Sequence, residues 1–450
     1  MNDERVVVIG GDAAGMSAAA RIRREQPERD ILVLEKTAYT SYSACGIPYY
    51  IGGLIDDFNR LIARSPQQFR DKYGIEVRTA HEVIAIDTVQ QRVTIRTDRG
   101  AEISEPYGQL LIATGARPIC PEVPGAGAEG IFGLSTLTSG ERVQTFLKEE
   151  RPRRAVVVGG GYIGLEMAEA LLLRGLDVSL IQRGAEVMGT LDPDMGRLVS
   201  QALRDLGVTL YLQEEMQAFE TREGRLTGVV TDRRTLPADI AILGMGVVPR
   251  TDLAQAAGIA WGVKRAIRVD ERQRTETPNV WAAGDCATSL HRLTGQPVHI
   301  ALGTVANRQG LVAGINLSGG EARFPGVVGT AVSKICKVEV ARTGLQEKEL
   351  REIGTDYAVA TIEARTRAGY FPGAGKITVK LLGERGSGRL LGAQIVGMEG
   401  AAKRIDVMAT ALTTGMTAQE LIDLDLSYAP PFSPVWDPVQ TAARQLIKEL

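Results

Sequence analysis

The sequence predicts an α/β protein with two Rossmann-like dinucleotide-binding domains and a C-terminal α+β domain. Three observations predict it. An apolar strand runs into a glycine turn and an Ala-rich helix near the start, at Val6–Gly15. The same pattern returns in a more complete form at Arg154–Gly164. From about Gly326 the chain changes to short strands followed by helices. The 450 residues suffice for two or three domains with a large core. The 51 glycines cluster in turns after strands, where a backbone must bend tightly or approach a phosphate. A formal net charge of −2 argues against nucleic acid or an anionic membrane as partner. No apolar run approaches the roughly 20 residues of a membrane span. The first strand follows Met1 so closely that no signal peptide is expected.

The first unit opens with a strand over Arg5–Ile9 and a turn containing Gly10 and Gly15. A helix is expected from Met16 to Arg24, then a strand from Ile31 that ends on Glu35. This spacing gives a glycine turn, a helix N-terminus for a pyrophosphate and a carboxylate for ribose hydroxyls. It departs from G-x-G-x-x-G at the second glycine, which is Asp12. Two later stretches complete a flavin site. Leu110–Pro118 reads as a strand ending in a small-residue turn, and Thr277–Asp285 as a strand ending on an aspartate. A carboxylate there accepts hydrogen bonds from ribityl or ribose hydroxyls. His299–Gly310 reads as a helix start whose dipole stabilises negative charge on a reduced flavin ring. His299 itself is taken as a surface or capping residue.

The second unit carries an intact motif at Gly159, Gly161 and Gly164, after a strand and opening a helix. The next strand, Asp177–Arg183, ends in Gln182 and Arg183 rather than in an acid. An acid would hold the 2′-hydroxyl of NAD, whereas an amide beside an arginine accommodates a 2′-phosphate. The reading favours NADPH and leaves NADH open. Ile240–Arg250 is read as a buried strand and a Gly/Pro turn closing this domain. The expected divisions are 1–115 and 250–325 for the FAD domain, 116–249 for the NAD(P)H domain and 326–450 for the C-terminal domain.

In the C-terminal third, strands are expected over Ala331–Ile335, Val338–Ala341, Ile377–Leu382 and Leu390–Val396. Helices are expected over Ala401–Thr414 and Gln440–Leu450. Between those helices lies a rigid Pro-rich loop, Tyr428–Pro434, and Tyr370 occupies a Gly-Tyr-Phe-Pro-Gly turn. The four cysteines, Cys45, Cys120, Cys286 and Cys336, are far apart and lack metal-site or disulfide-framework spacing. That fits a reducing cytoplasm. Cys45 lies in Ser41-Tyr-Ser-Ala-Cys-Gly-Ile-Pro-Tyr-Tyr50, just past the first βαβ unit. A thiol there can lie against the reactive ring of a cofactor; the other three cysteines are taken as structural.

Together these residues resemble the pyridine nucleotide-disulfide oxidoreductases over essentially the full chain. The resemblance implies FAD in a discontinuous domain, NAD(P)H in an inserted one and a homodimer made by the C-terminal domain. The dithiol branches carry a second cysteine five positions after the first, a position held here by Tyr50. Among the single-cysteine branches, NADH peroxidases and water-forming oxidases carry a histidine where this chain has Ala13. The coenzyme A-disulfide and persulfide reductases resemble it better, in the small residue at 13, the Cys45 block and the Tyr-Ala-Pro-Pro-Phe-Ser loop. The residue before the cysteine, often Asn in that branch, is Ala44 here. Some relatives carry a C-terminal rhodanese domain; none is expected in a chain ending at Leu450.

The resemblance implies Cys45 as the redox thiol, with Tyr428 and Tyr370 of a partner subunit reaching it. It implies Arg24, with Arg21, Ser41 and Arg64, as contacts for coenzyme A. Flavin contacts are expected at Gly10, Ala14, Gly15, Glu35, Lys36 and Val83, then at Ala113, Thr114 and Gly115, and at Asp285, Ala301 and Leu302. Nucleotide contacts are expected at Gly159, Gly161, Ile163, Gly164, Arg183 and Gly246, with Tyr162 as an aromatic gate and Glu166 orienting the carboxamide. No metal site is expected. The implied activity is FAD-dependent reduction of coenzyme A disulfide, or of a persulfide or polysulfide, by NADPH. Rivals are an oxidase or peroxidase working through a cysteine sulfenic acid, a ferredoxin-type electron-transfer reductase and a redox-sensing flavoprotein.

Overall fold

The computed structural model describes residues 5–450, which divide into two compact units. The first gathers the chain up to Ile119 with Ser135–Thr145 and Val247–Val327; the second gathers Cys120–Leu134, Phe146–Gly246 and Val328–Leu450.

The first unit is built on a parallel sheet in the order Val280–Ala282, Gln109–Ile112, Val6–Ile9, Ile31–Leu34, Glu76–Arg78. Val6–Ile9 is buried along its whole length, so it is apolar throughout rather than alternating. The first helix starts at Ala13, earlier than the expected Met16, and ends at Glu25, one residue past the expected Arg24. The alanines after the turn are strong helix formers and continue it without a break. That helix crosses a second one, Gly303–Leu317, at very short range. A Cβ on Gly310 would stand 2.2 Å from the Ala14 carbonyl oxygen, and one on Gly314 would stand 2.7 Å from that of Ala18. The second helix does not begin at His299 as expected, because Pro297–Val298 pairs as a short strand with Ser289–Leu290 and holds the chain extended there. A three-stranded antiparallel layer, Glu82–Asp87, Arg92–Arg96 and Glu102–Pro106, contributes Val83, Ile86, Val93 and Ile95 to the core on one side of the sheet. The expected strand Leu110–Pro118 divides in two: after Ile112 the chain turns, and Ala116–Pro118 pairs antiparallel with Val247–Pro249. The stretch after Ile240 likewise yields two strands rather than a strand and a turn.

The second unit repeats the plan. Its parallel sheet has the order Thr209–Leu212, Asp177–Gln182, Arg154–Val158, Ile240–Leu243, Ile131–Gly133. It too carries a three-stranded antiparallel layer, Met216–Arg222, Arg225–Thr231 and Thr235–Pro237. The same unit holds a five-stranded antiparallel sheet in which Leu390–Gly397 is buried at every residue. The strand Tyr357–Arg365 was not legible in the sequence: it is an edge strand whose second half faces outward, so its apolar alternation fades. The acidic trio Asp192, Asp194 and Glu347 has the mutual geometry of a cation site. Its charge is met by the buried Lys380 ammonium at 3.1, 2.8 and 2.7 Å respectively.

Candidate active site

The first glycine turn is closed by contacts that tolerate no side chain. Gly10 has φ +107, and a Cβ there would stand 2.2 Å from the Ala113 carbonyl oxygen. A Cβ on Gly15 would stand 1.9 Å from the Gly10 carbonyl oxygen. Glu35 fixes the edge of the turn, accepting the Gly11 N–H at 2.8 Å and the Thr37 N–H at 2.7 Å. Ala14 is buried beside Gly284, whose added Cβ would be 2.9 Å from its own. Thr114 donates its hydroxyl to the Arg250 carbonyl at 2.6 Å, and Gly115 turns at φ +67. Lys36 is exposed and Val83 buried, whereas Ala301 and Leu302 lie half-buried just before the second helix.

Asp285 is the most informative group here. Its Oδ1 is buried without a hydrogen-bond partner in the chain, and burial pushes the carboxyl up to about 6. A buried carboxylate oxygen lacking a donor is costly, and the hydroxyls of a dinucleotide cofactor are suitable donors. With the two glycine contacts, this makes the site fit FAD. Gln309 builds the loop that carries Asp285. It accepts the Gly284 N–H at 2.8 Å and donates to the Thr288 carbonyl and the Ser289 hydroxyl at 3.0 and 2.9 Å. Sequence reasoning missed Gln309, because a glutamine in a helix gives no sign that it is buried. His299 is neither a surface residue nor a cap. It is half-buried and bonded through Nε2 to the Asp285 carbonyl at 2.8 Å, and burial lowers its pKa.

The segment bearing Cys45 lies on this turn. Ser41 sits in the left-handed region at φ +50. Its N–H donates to the Gly11 carbonyl at 3.0 Å, and its carbonyl accepts from Ala63 at 2.8 Å. Cys45 is exposed, in the short 3₁₀ turn Ala44–Gly46. Tyr50, at the position of a second thiol, packs edge-on to Phe58 with ring centroids 5.5 Å apart. Of the basic residues expected to meet coenzyme A, Arg21 pairs with Glu25, Arg24 is exposed, and Arg64 lies 5.8 Å above the Tyr73 ring. Cys286 is buried against the Ile112 and Ala283 carbonyls at 3.4 Å, Cys120 is exposed, and Cys336 donates its N–H to Glu169 at 2.8 Å.

The second unit holds the other glycine turn. Gly159 has φ +102, and a Cβ on Gly164 would stand 2.0 Å from the Gly159 carbonyl oxygen. Gly161 and Ile163 are half-buried around this helix start, and Gly246 turns at φ +95. Gln182 accepts the Gly160 N–H at 3.0 Å. Arg183 is 81% exposed and pairs with Glu215 at 3.4 Å. Tyr162 accepts from the Thr190 hydroxyl at 3.4 Å, and burial raises the pKa of its phenol. Glu166 accepts the Ser333 hydroxyl at 3.0 Å, and burial raises its carboxyl too. Tyr370 and Tyr428 are both exposed in this unit, and a hydrogen bond from one phenol to the other raises the Tyr428 pKa.

No helix among the described residues is long and apolar enough to cross a membrane. The chain matches the pyridine nucleotide-disulphide oxidoreductase family over residues 4–310 and that family's dimerisation domain over 330–438. It is 39% identical to an NAD(P)H coenzyme A polysulfide/persulfide reductase of Pyrococcus horikoshii, over 98% of each chain. It is 35% identical to an NADH oxidase of Methanocaldococcus jannaschii, over 99% of each. The solved structure of an NAD-dependent persulfide reductase from A. fulgidus superposes with a TM-score of 0.95 at 40% identity, covering 98% of this chain and 82% of the other. With two glycine turns of the same build and a full-length match, the chain belongs to the pyridine nucleotide-disulphide oxidoreductases, as an enzyme that uses FAD and NAD(P)H.

Proposed function

We infer that this enzyme reduces coenzyme A disulfide, or a coenzyme A persulfide or polysulfide, with a single thiol on Cys45. The carrying observation is the exposed Cys45 on a segment whose Ser41 and Tyr42 N–H groups bond to the flavin-side glycine turn, with an aromatic ring at Tyr50 where a second thiol would be needed. FAD, when bound, supplies the two-electron link between a pyridine nucleotide and sulfur. The chain's own residues do the rest. The Cys45 thiolate attacks a substrate sulfur, expels the other half as a thiolate and is left in a mixed disulfide. Two electrons then cleave that disulfide, releasing the second thiolate and restoring Cys45. Tyr428, aided by Tyr370 and supplied by the second subunit of a homodimer, hydrogen-bonds or protonates the leaving thiolate. Arg21, Arg24, Ser41 and Arg64 bind the coenzyme A moiety. On the other side, Tyr162 covers and Glu166 orients the nicotinamide, while Arg183 receives a 2′-phosphate. The cytoplasm is the compartment in this reading, because a reducing environment keeps a working thiol available.

The test is mass analysis of Cys45 in enzyme treated anaerobically with coenzyme A disulfide, beside NADPH oxidation driven by that disulfide and by coenzyme A persulfide. A coenzyme A adduct on Cys45 that NADPH removes is the expected result. Consumption of oxygen with no such adduct would make the chain an oxidase and overturn the reading.

A further inference from the structure

Asp12 stands where the intact motif has its second glycine. At the matching Gly161 an added Cβ would meet nothing nearer than the Gly244 carbonyl oxygen, at 3.7 Å. That corner of the turn therefore has room for a side chain. In the first unit the room is used. Asp12 Oδ1 accepts the backbone N–H of Tyr42 at 3.2 Å, and the neighbouring Ser41 N–H donates to the Gly11 carbonyl at 3.0 Å. Two consecutive N–H groups of the Cys45 segment thus end on two consecutive residues of the glycine turn. From the other side the segment is held by Ala63, which donates to the Ser41 carbonyl, and by the Ser43 N–H, which donates to the Leu61 carbonyl, both at 2.8 Å. These bonds keep Ser41 in its left-handed conformation, which a residue with a Cβ adopts at a cost. Cys45 follows Tyr42 by three residues, through the 3₁₀ turn.

We propose that Asp12 is a positioning residue for Cys45, its side chain tying the segment 41–45 to the flavin-side turn so that the turn sets where the thiol stands. The effect of this position on turnover rests on Cys45 being the reacting thiol. The change Asp12→Gly would rebuild the ordinary motif yet leave the Tyr42 N–H without its acceptor, whereas an amide in place of the carboxyl still offers an oxygen. The hydrogen bond, rather than the negative charge, is then the working feature. The carboxyl is pushed up to about 6, chiefly by burial, with Glu35 and Asp285 adding to the effect and the Tyr42 and Ala13 N–H groups opposing it.

The experiment compares full-length, flavin-loaded Asp12→Gly and Asp12→Asn with the unaltered enzyme, all rates taken per bound flavin. Three quantities are read: alkylation of Cys45 by iodoacetamide, flavin reduction by NADPH, and flavin reoxidation by coenzyme A disulfide. For Asp12→Gly we expect Cys45 alkylation to change by roughly threefold or more and reoxidation to slow roughly tenfold, the effect of one lost hydrogen bond. Reduction by NADPH stays within about twofold, since that step does not use the segment. Asp12→Asn restores alkylation and reoxidation. Unchanged alkylation in Asp12→Gly overturns the proposal, as does an Asp12→Asn enzyme no better than Asp12→Gly. A loss of flavin loading alone, with normal rates per flavin, also overturns it. Should Asp12→Gly load no flavin, Asp12→Ala is read in the same way. Cys45→Ser runs in parallel: if it still reduces the disulfide, the assignment of Cys45 falls, while the alkylation rate still decides what Asp12 does.

Discussion

In the first dinucleotide unit the Gly11 N–H ends on the Glu35 carboxylate at 2.8 Å; in the second the Gly160 N–H ends on the Gln182 amide oxygen at 3.0 Å. The residue at the end of the second strand therefore has two tasks. It closes the glycine turn from the side, and in the proposed function it also faces the ribose of the bound nucleotide. An amide performs the first task as well as an acid does. The position is thus free to vary for the second, and the neutral side chain leaves Arg183 as the charge nearest the strand end. The two units differ again just beyond that strand. The first continues into the segment with Cys45, whereas the stretch Gly184–Asp192 contains no cysteine. One plan, repeated, thus leads into an exposed cysteine in one copy and an exposed arginine in the other, the two positions to which the proposed function gives the thiol and the selection of the nucleotide.

The comparison can be broken most severely at the thiol. Cys45→Ser should lower reduction of coenzyme A disulfide on the order of 10⁴-fold while flavin reduction by NADPH persists. Steady-state turnover beside stopped-flow absorbance decides it. Near-normal turnover of the serine enzyme would make Cys45 a structural residue.

The shared plan itself is tested by paired glycine substitutions. In each unit an added Cβ on the third glycine meets the carbonyl oxygen of the first, at 1.9 Å for Gly15 and 2.0 Å for Gly164. Overpacking of this kind costs about 1–3 kcal/mol. Gly15→Ala should lose flavin during gel filtration, whereas Gly164→Ala should stay yellow and bind NADPH more weakly. Weakening of both ligands by either change would show that the units are not independent. Asp285→Ala should lower flavin occupancy by a similar amount, because donors on the cofactor lose their buried acceptor, at about 1–3 kcal/mol. Full occupancy in that variant would remove Asp285 from the site.

A smaller effect is expected at the strand end. Arg183→Glu should lower kcat/KM for NADPH roughly tenfold relative to NADH, through loss of a charge-assisted contact. Arg183 is exposed and already shares its charge with Glu215, so a hundredfold effect is not expected. Equal losses with both nucleotides would end the NADPH reading.

A separate effect is one of pH on the flavin-free protein. The Asp285 carboxyl titrates at about 6 in the fold against an ordinary 3.8. Between those values the unfolded chain gives up its proton while the folded one keeps it, so stability falls as pH rises from about 4 to about 6. The shift limits the loss to about 3 kcal/mol. Thermal melts of the flavin-free protein should therefore give a higher Tm at pH 5 than at pH 7, with a flatter profile in Asp285→Asn. Asp12, also raised to about 6, maintains part of the slope.

The central strands of both parallel sheets could be read from the sequence because buried strands are continuous apolar runs, such as Val6–Ile9 and Ala155–Val158, that end in glycines; the outer strands Glu76–Arg78, Thr209–Leu212 and Ile131–Gly133 were not expected. The antiparallel layers and the edge strand Tyr357–Arg365 could not, since half-exposed strands give a short, diluted alternation. Of the candidate site, the glycines, Glu35, Asp285, the Gln182–Arg183 pair and Cys45 were visible as types at fixed spacings. What the sequence by itself determined was therefore the repeated plan, the cofactor class and the lone thiol, because these rest on local spacing along one chain. Only the tertiary structure decided that Gln309 is buried beneath the Asp285 loop, that His299 meets the Asp285 carbonyl and that Asp12 receives the Tyr42 N–H. Each of those contacts joins residues from different elements, 14 to 30 positions apart. A hydrogen bond across that distance leaves no periodic mark on either partner.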